Sequence, residues 1–224
     1  MSGYAVVDVE ATGRSPWRHR VVEVAVVQLD AGLRIEREFA TLVDPGGPVG
    51  PTHVHGIAQE DVLGAPRFRQ IAPWLLELLA GRVLVGHHVT CDRSFLEREF
   101  ARIGVALPPV PLLCTMRMAR RLLPEAGGFG LSACVDAAGL GWFPAHTALG
   151  DALATVELLR HCRRTGCPEE RLPARPAVPW PRLAPARSER SRGGVPLRRR
   201  VAPLGPWPAG VEGPRALIGS AGYE

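Results

Sequence analysis

The chain has 224 residues, 46% of them hydrophobic and 22% charged, with 27 basic residues against 22 acids and a formal charge of +5. That length accommodates one substantial core with an appendage, and no stretch approaches the roughly 20 apolar residues of a membrane-spanning helix. The opening runs straight into Asp8 and Glu10, where a secretion signal needs a basic region and then an apolar run, so a cytoplasmic protein with no membrane partner is expected.

Residues 4–9 form a short β-branched run followed by Thr12-Gly13, the pattern of a buried strand ending in a loop. Residues 21–29 and 35–43 are two more such runs, the latter closed by Asp44-Pro45-Gly46-Gly47, and three strands joined by short loops suggest an antiparallel meander. The spacing of Ile71, Leu75, Leu78 and Leu79 predicts a helix over 68–79, and Val83–Val85 a strand closing on Gly86. Helices follow over 92–103, 116–123, 131–138 and, most strongly, 148–163. Strands first, then alternating helices and strands, predict an α/β sandwich with a mixed sheet.

All 27 basic residues are arginine, and they are unevenly placed: residues 1–170 carry 17 Arg against 19 acids, residues 171–224 carry 10 Arg against 3 Glu. Residues 168–224 also hold 11 of the 22 prolines and show no sustained hydrophobic period, which predicts a disordered basic tail behind a catalytic domain at 1–167. Trp180 and Trp207, each beside proline, are candidate docking points for another protein. The five cysteines, Cys91, Cys114, Cys134, Cys162 and Cys167, are odd in number and scattered, consistent with reduced thiols.

Asp8 and Glu10 lie two apart on the first strand, so both carboxylates project to one side while Val7 and Val9 enter the other. Charge emerging from an apolar strand is expensive unless paired or bound to a cation. The segment Val7-Asp8-Val9-Glu10-Ala11-Thr12-Gly13 resembles the first motif of the DEDDh, or DnaQ-like, 3′-5′ exonucleases, the family typified by the proofreading epsilon subunit of bacterial DNA polymerase III. Val85-Gly86-His87-His88-Val89-Thr90-Cys91-Asp92 resembles the second motif, and His146-Thr147-Ala148-Leu149-Gly150-Asp151-Ala152 the third.

The resemblance spans residues 4–163 and implies a ribonuclease H-like, five-stranded mixed sheet flanked by helices. It implies catalytic residues Asp8, Glu10, Asp92, His146 and Asp151, the four carboxylates holding two Mg²⁺ or Mn²⁺ ions and His146 acting as general base. Hard oxygen ligands suit those ions, two of which can stabilise both the attacking and departing oxygens at phosphorus. An imidazole ordinarily titrates close to neutral pH, as a general base should. Thr12, Gly13, His55, Ile57 and His88 are the implied substrate-binding residues. His88 and Cys91 depart from the family pattern, which commonly has Asn and an aromatic there.

The function implied is hydrolysis of nucleic acid from its 3′ end, releasing nucleoside 5′-monophosphates, with single-stranded DNA favoured over RNA. A replication or repair protein is an expected partner through the tail. The alternative is a catalytically silent binding module on the same fold; retention of all four carboxylates favours the enzyme.

Overall fold

A computed structural model describes residues 3–141, 143–166 and 179–183. Its centre is a five-stranded sheet in the order β3-β2-β1-β4-β5. β1 (Tyr4–Ala11), β2 (Val21–Leu29) and β3 (Ile35–Leu42) form the antiparallel meander, whereas β4 (Val83–Gly86) runs parallel to β1, and β5 (Leu112–Cys114) parallel to β4. Around the sheet stand α1 (Thr52–His55), α2 (Phe68–Leu79), α3 (Val89–Arg102), α4 (Thr115–Leu122), α5 (Leu131–Ala137) and α6 (Ala148–Arg164). None of the helices among the described residues is long and apolar enough to cross a membrane.

Side-chain alternation divides β1 between two cores. Tyr4 and Val6 pack with Leu149, Ala152, Val156 and Leu159 of α6, together with α4 and α5. Ala5 and Val7 pack with α2 and α3, where Phe68 and Phe100 meet edge to face with ring centroids 5.1 Å apart. β2 is buried along its whole length because it is covered on both faces and paired on both edges. Such a strand tolerates a continuous apolar run, and the one acid in it, Glu23, is consequently conspicuous.

The fifth strand of the expected sheet has no signal of its own in the sequence, because three residues between Pro111 and the start of α4 are too few to show a period, and the expectation for the tail needs adjustment. Within the expected tail, residues 179–183 are described and lie against the α2–α3 core. Trp180 and Leu183 pack on it, and Trp180 Nε1 donates to the Leu76 carbonyl at 2.7 Å. Trp180 therefore seats on its own domain, whereas Trp207 and the rest of the tail lie outside the described residues.

Candidate active site

The site forms where β1 outruns its neighbour. β4 pairs with β1 only over Tyr4–Val6 and ends at Gly86, so the later part of β1 has no strand on that edge. Asp8 and Glu10 share the parity of Tyr4 and Val6 and thus face the α6 side, while Val7 and Val9 enter the α2–α3 core. Glu10 stands opposite Glu23 on β2, which is 1% exposed and accepts a hydrogen bond from the Ala148 amide at 2.9 Å. That amide is at the first turn of α6, whose unsatisfied N–H groups carry partial positive charge. Sequence reading missed Glu23, although a lone acid within Val21–Leu29 was the signal.

Asp92 arrives from the other face of the sheet. α3 packs with the α2 side, and its first-turn Asp92 reaches β1 past Gly86; a Cβ there would stand 3.0 Å from Asp92 Oδ2 and 3.3 Å from the Val7 carbonyl oxygen. The Asp92 carboxylate accepts from the Val9 amide, on the edge that β4 leaves open. His88, the N-cap of α3, is exposed and left-handed, at φ 77° and ψ 45°. Asn and His are among the non-glycine residues enriched in that conformation, so histidine satisfies the backbone where the family commonly has Asn.

The third segment is fixed by a compact cap. Thr147 Oγ1 accepts from the Gly150 amide at 3.1 Å and donates to the Pro144 carbonyl at 3.0 Å. Gly150 is required by close approach, since a Cβ would lie 2.2 Å from that carbonyl oxygen. The turn throws His146 into the left-handed region, φ 62°, with its amide 3.3 Å from each oxygen of Asp151. As at His88, a histidine occupies a conformation that most side chains avoid. The His146 ring, Glu10 and Asp151 each offer a ligand atom within 4.8 Å of the others.

Electrostatics unite the cluster. Burial holds Asp8 well above the ordinary carboxylate range, and Asp92, Asp151, Glu10 and Glu23 push it further in the same direction. Glu10 is raised to about 7, by burial and then by Asp151 and Glu23. Asp151 is raised to about 7 by burial, with Glu23 and Asp92 adding to it and the His146 amide opposing. Asp92 is also raised to about 7 by burial, opposed by its own and the Val9 amide. Carboxylates that suppress each other's ionisation, beside one imidazole, are a donor set suited to a hard divalent cation.

The expected substrate-binding residues divide. Thr12 Oγ1 accepts from the Arg20 amide at 3.1 Å and contacts His19 Nδ1 at 3.2 Å, closing the β1–β2 loop. The group lying over Gly13 is the His19 ring, within 2.7 Å of where a Cβ would be, so this imidazole packs on the segment expected to border the substrate. His55 and Ile57 do not present themselves to a ligand: they are 3% and 0% exposed. His55 Nδ1 accepts from the Ile57 amide and its Nε2 contacts the Val49 carbonyl, so the pair holds the loop together while Thr52, His53 and Val54 are exposed.

A mixed sheet whose central strand delivers two carboxylates, met by a third from one face and a fourth from the other, defines a ribonuclease H-like nuclease. The exonuclease family model named for RNase T matches residues 5–159. The DNA polymerase III subunit epsilon of Aquifex aeolicus is 30% identical over 157 residues, 69% of this chain and 77% of that protein. A putative bifunctional exonuclease/endonuclease of Mycobacterium tuberculosis is 35% identical over 165 residues, but the chain spans only 26% of its length. The nuclease domain of 3′hExo, a DEDDh family member bound to rAMP, superposes with a TM-score of 0.62 at 21% identity, covering 75% of this chain and 94% of that one. Escherichia coli exonuclease I in complex with single-stranded DNA gives a TM-score of 0.65 at 16% identity, over 74% of this chain and 41% of that one. The chain belongs to the DnaQ-like 3′-5′ exonuclease family, and is a nuclease hydrolysing phosphodiester bonds.

Proposed function

We propose that the protein removes nucleoside 5′-monophosphates from the 3′ end of single-stranded DNA, using two Mg²⁺ or Mn²⁺ ions held by Asp8, Glu10, Asp92 and Asp151. The observation that carries this is the convergence on one end of β1 of five residues drawn from three distant segments, with all four carboxyls raised by burial. When bound, the ions neutralise that cluster and polarise the phosphodiester.

The remaining work falls to the chain. His146, on the rim with Glu10 and Asp151, takes the proton from the attacking water at an imidazole nitrogen. Asp151 orients it by holding the His146 amide. Thr12 and Gly13, at the end of β1, and the exposed His88, at the start of α3, border the place for the terminal nucleotide. DNA is favoured by the likeness to a DNA polymerase III subunit. The free thiols of Cys91, Cys114, Cys134 and Cys162 suit a reducing cytoplasm.

Matched DNA and RNA oligonucleotides, labelled at either end, are digested with Mg²⁺, with Mn²⁺ and in EDTA, with Asp8→Ala as control. Mononucleotide release from the 3′ end of DNA is expected, lost in EDTA and in the variant. Faster cleavage of RNA would reverse the substrate assignment, and near-normal turnover by Asp8→Ala would remove the site.

A further inference from the structure

The β1–β2 loop, residues 13–19, carries Arg14, Arg18 and His19 and no acid, and at its tip Trp17 is 74% exposed. The ring is exposed but not loose. The Arg98 guanidinium from α3 stacks beneath it, with Arg98 Nη2 buried and without a hydrogen-bond acceptor among the described residues. Arg102 Nη2 donates to the carbonyls of Pro16, Trp17 and His19, at 2.9, 3.3 and 3.1 Å. Behind them, Glu99, 1% exposed, takes both Arg20 (2.7 and 2.9 Å) and Arg102 (3.1 Å). The loop backbone and one ring face are thus fixed to α3, and the other face is free.

Position says what that face is for. The same helix carries Asp92 in its first turn, and Arg98 lies six residues on, ~9 Å along the axis. That is the span of about two or three stacked nucleotides at ~3.4 Å each. Resting on the exonuclease reading above, we propose that Trp17, backed by Arg98, is a stacking platform for a base of the substrate strand two or three nucleotides upstream of the 3′ end. The cation below the ring and the arginines beside it favour a polyanion carrying flat π-faces, and base stacking on an aromatic is indifferent to sequence.

The test is binding in Ca²⁺, with cleavage suppressed, of 5′-labelled oligothymidylates of two and eight nucleotides. Trp17→Ala should raise the Kd of the eight-mer about 5- to 100-fold, the worth of one stacked base, and Trp17→Phe should restore most of it. The dinucleotide, too short to reach, should change by less than about 2-fold, and the slope of log Kd against log salt should not move, because the ring neutralises no phosphate. An unchanged eight-mer, an equal loss on the dinucleotide, or a shallower salt slope would each overturn the platform. The two readings fail separately. Trp17-dependent binding without mononucleotide release in Mg²⁺ or Mn²⁺ would remove the exonuclease reading and leave the platform. Normal digestion with Trp17-independent binding would do the reverse.

Discussion

Replacing Asp151 with Asn keeps an oxygen for the His146 amide while removing one charge from a crowded site. Displacing its midpoint from 3.8 to about 7 penalises the ionised form by on the order of 4 kcal/mol at pH 8. A carboxyl raised in the folded state contributes stability that is full below its unfolded midpoint and is lost as pH rises through the folded one, here between about 4 and 7. In EDTA at pH 8, Asp151→Asn should therefore be the more stable protein, by about 2–4 kcal/mol after the neighbours relax. At ~2–4 °C per kcal/mol for a chain of this size, its Tm should be higher by roughly 5–15 °C. At pH 4, where the wild-type carboxyl is protonated, the difference should nearly vanish. With saturating Mn²⁺ the order should invert, because a ligand is missing. Melting curves at the two pH values, with EDTA and with metal, test all of this. A variant less stable than wild type in EDTA at pH 8 would refute the claim that these carboxylates repel one another.

His146→Ala should lower turnover by about 10²–10⁴-fold with metal affinity little changed, as measured by initial rates across a metal titration; an unaffected rate would remove the general base. Glu23→Gln retains an acceptor for the Ala148 amide but removes a charge from the cluster's edge, so the metal concentration for half activity should rise ~10-fold with kcat nearly preserved. A collapse of kcat at saturating metal would show that Glu23 acts more directly. Deleting residues 184–224 should leave Tm unchanged and make binding to long single strands less salt-dependent, by ~0.7 in slope for each phosphate that the tail had neutralised. Deleting 171–224 should in addition lower Tm by a few degrees as the Trp180 seat is removed; equal melting of the two truncations would show that the seat contributes nothing.

The local grammar of the chain was legible in its sequence. Asp8 and Glu10 had to share a face because strand side chains alternate, and the helices from 68 to 163 announced themselves by apolar spacing. Other features were not legible. The burial of Glu23 depends on an amide 125 residues away, and the approach of Asp92 past Gly86 on a strand that stops short. The left-handed backbone of His146 depends on how the Pro144 carbonyl closes over the start of α6. His55 and Ile57 show the same limit from the other side: a motif marks which residues matter to a loop, but only packing decides whether they face the ligand or the core. Trp17 is one tryptophan among five in the sequence, and only the fold puts Arg98 beneath it. Periodicity and charge are properties of neighbours in sequence, and one strand suffices to display them. Which carboxylate meets which, and how far each is pushed from its ordinary pKa, depends on low-dielectric contacts between segments, which exist only once the sheet has closed around β1.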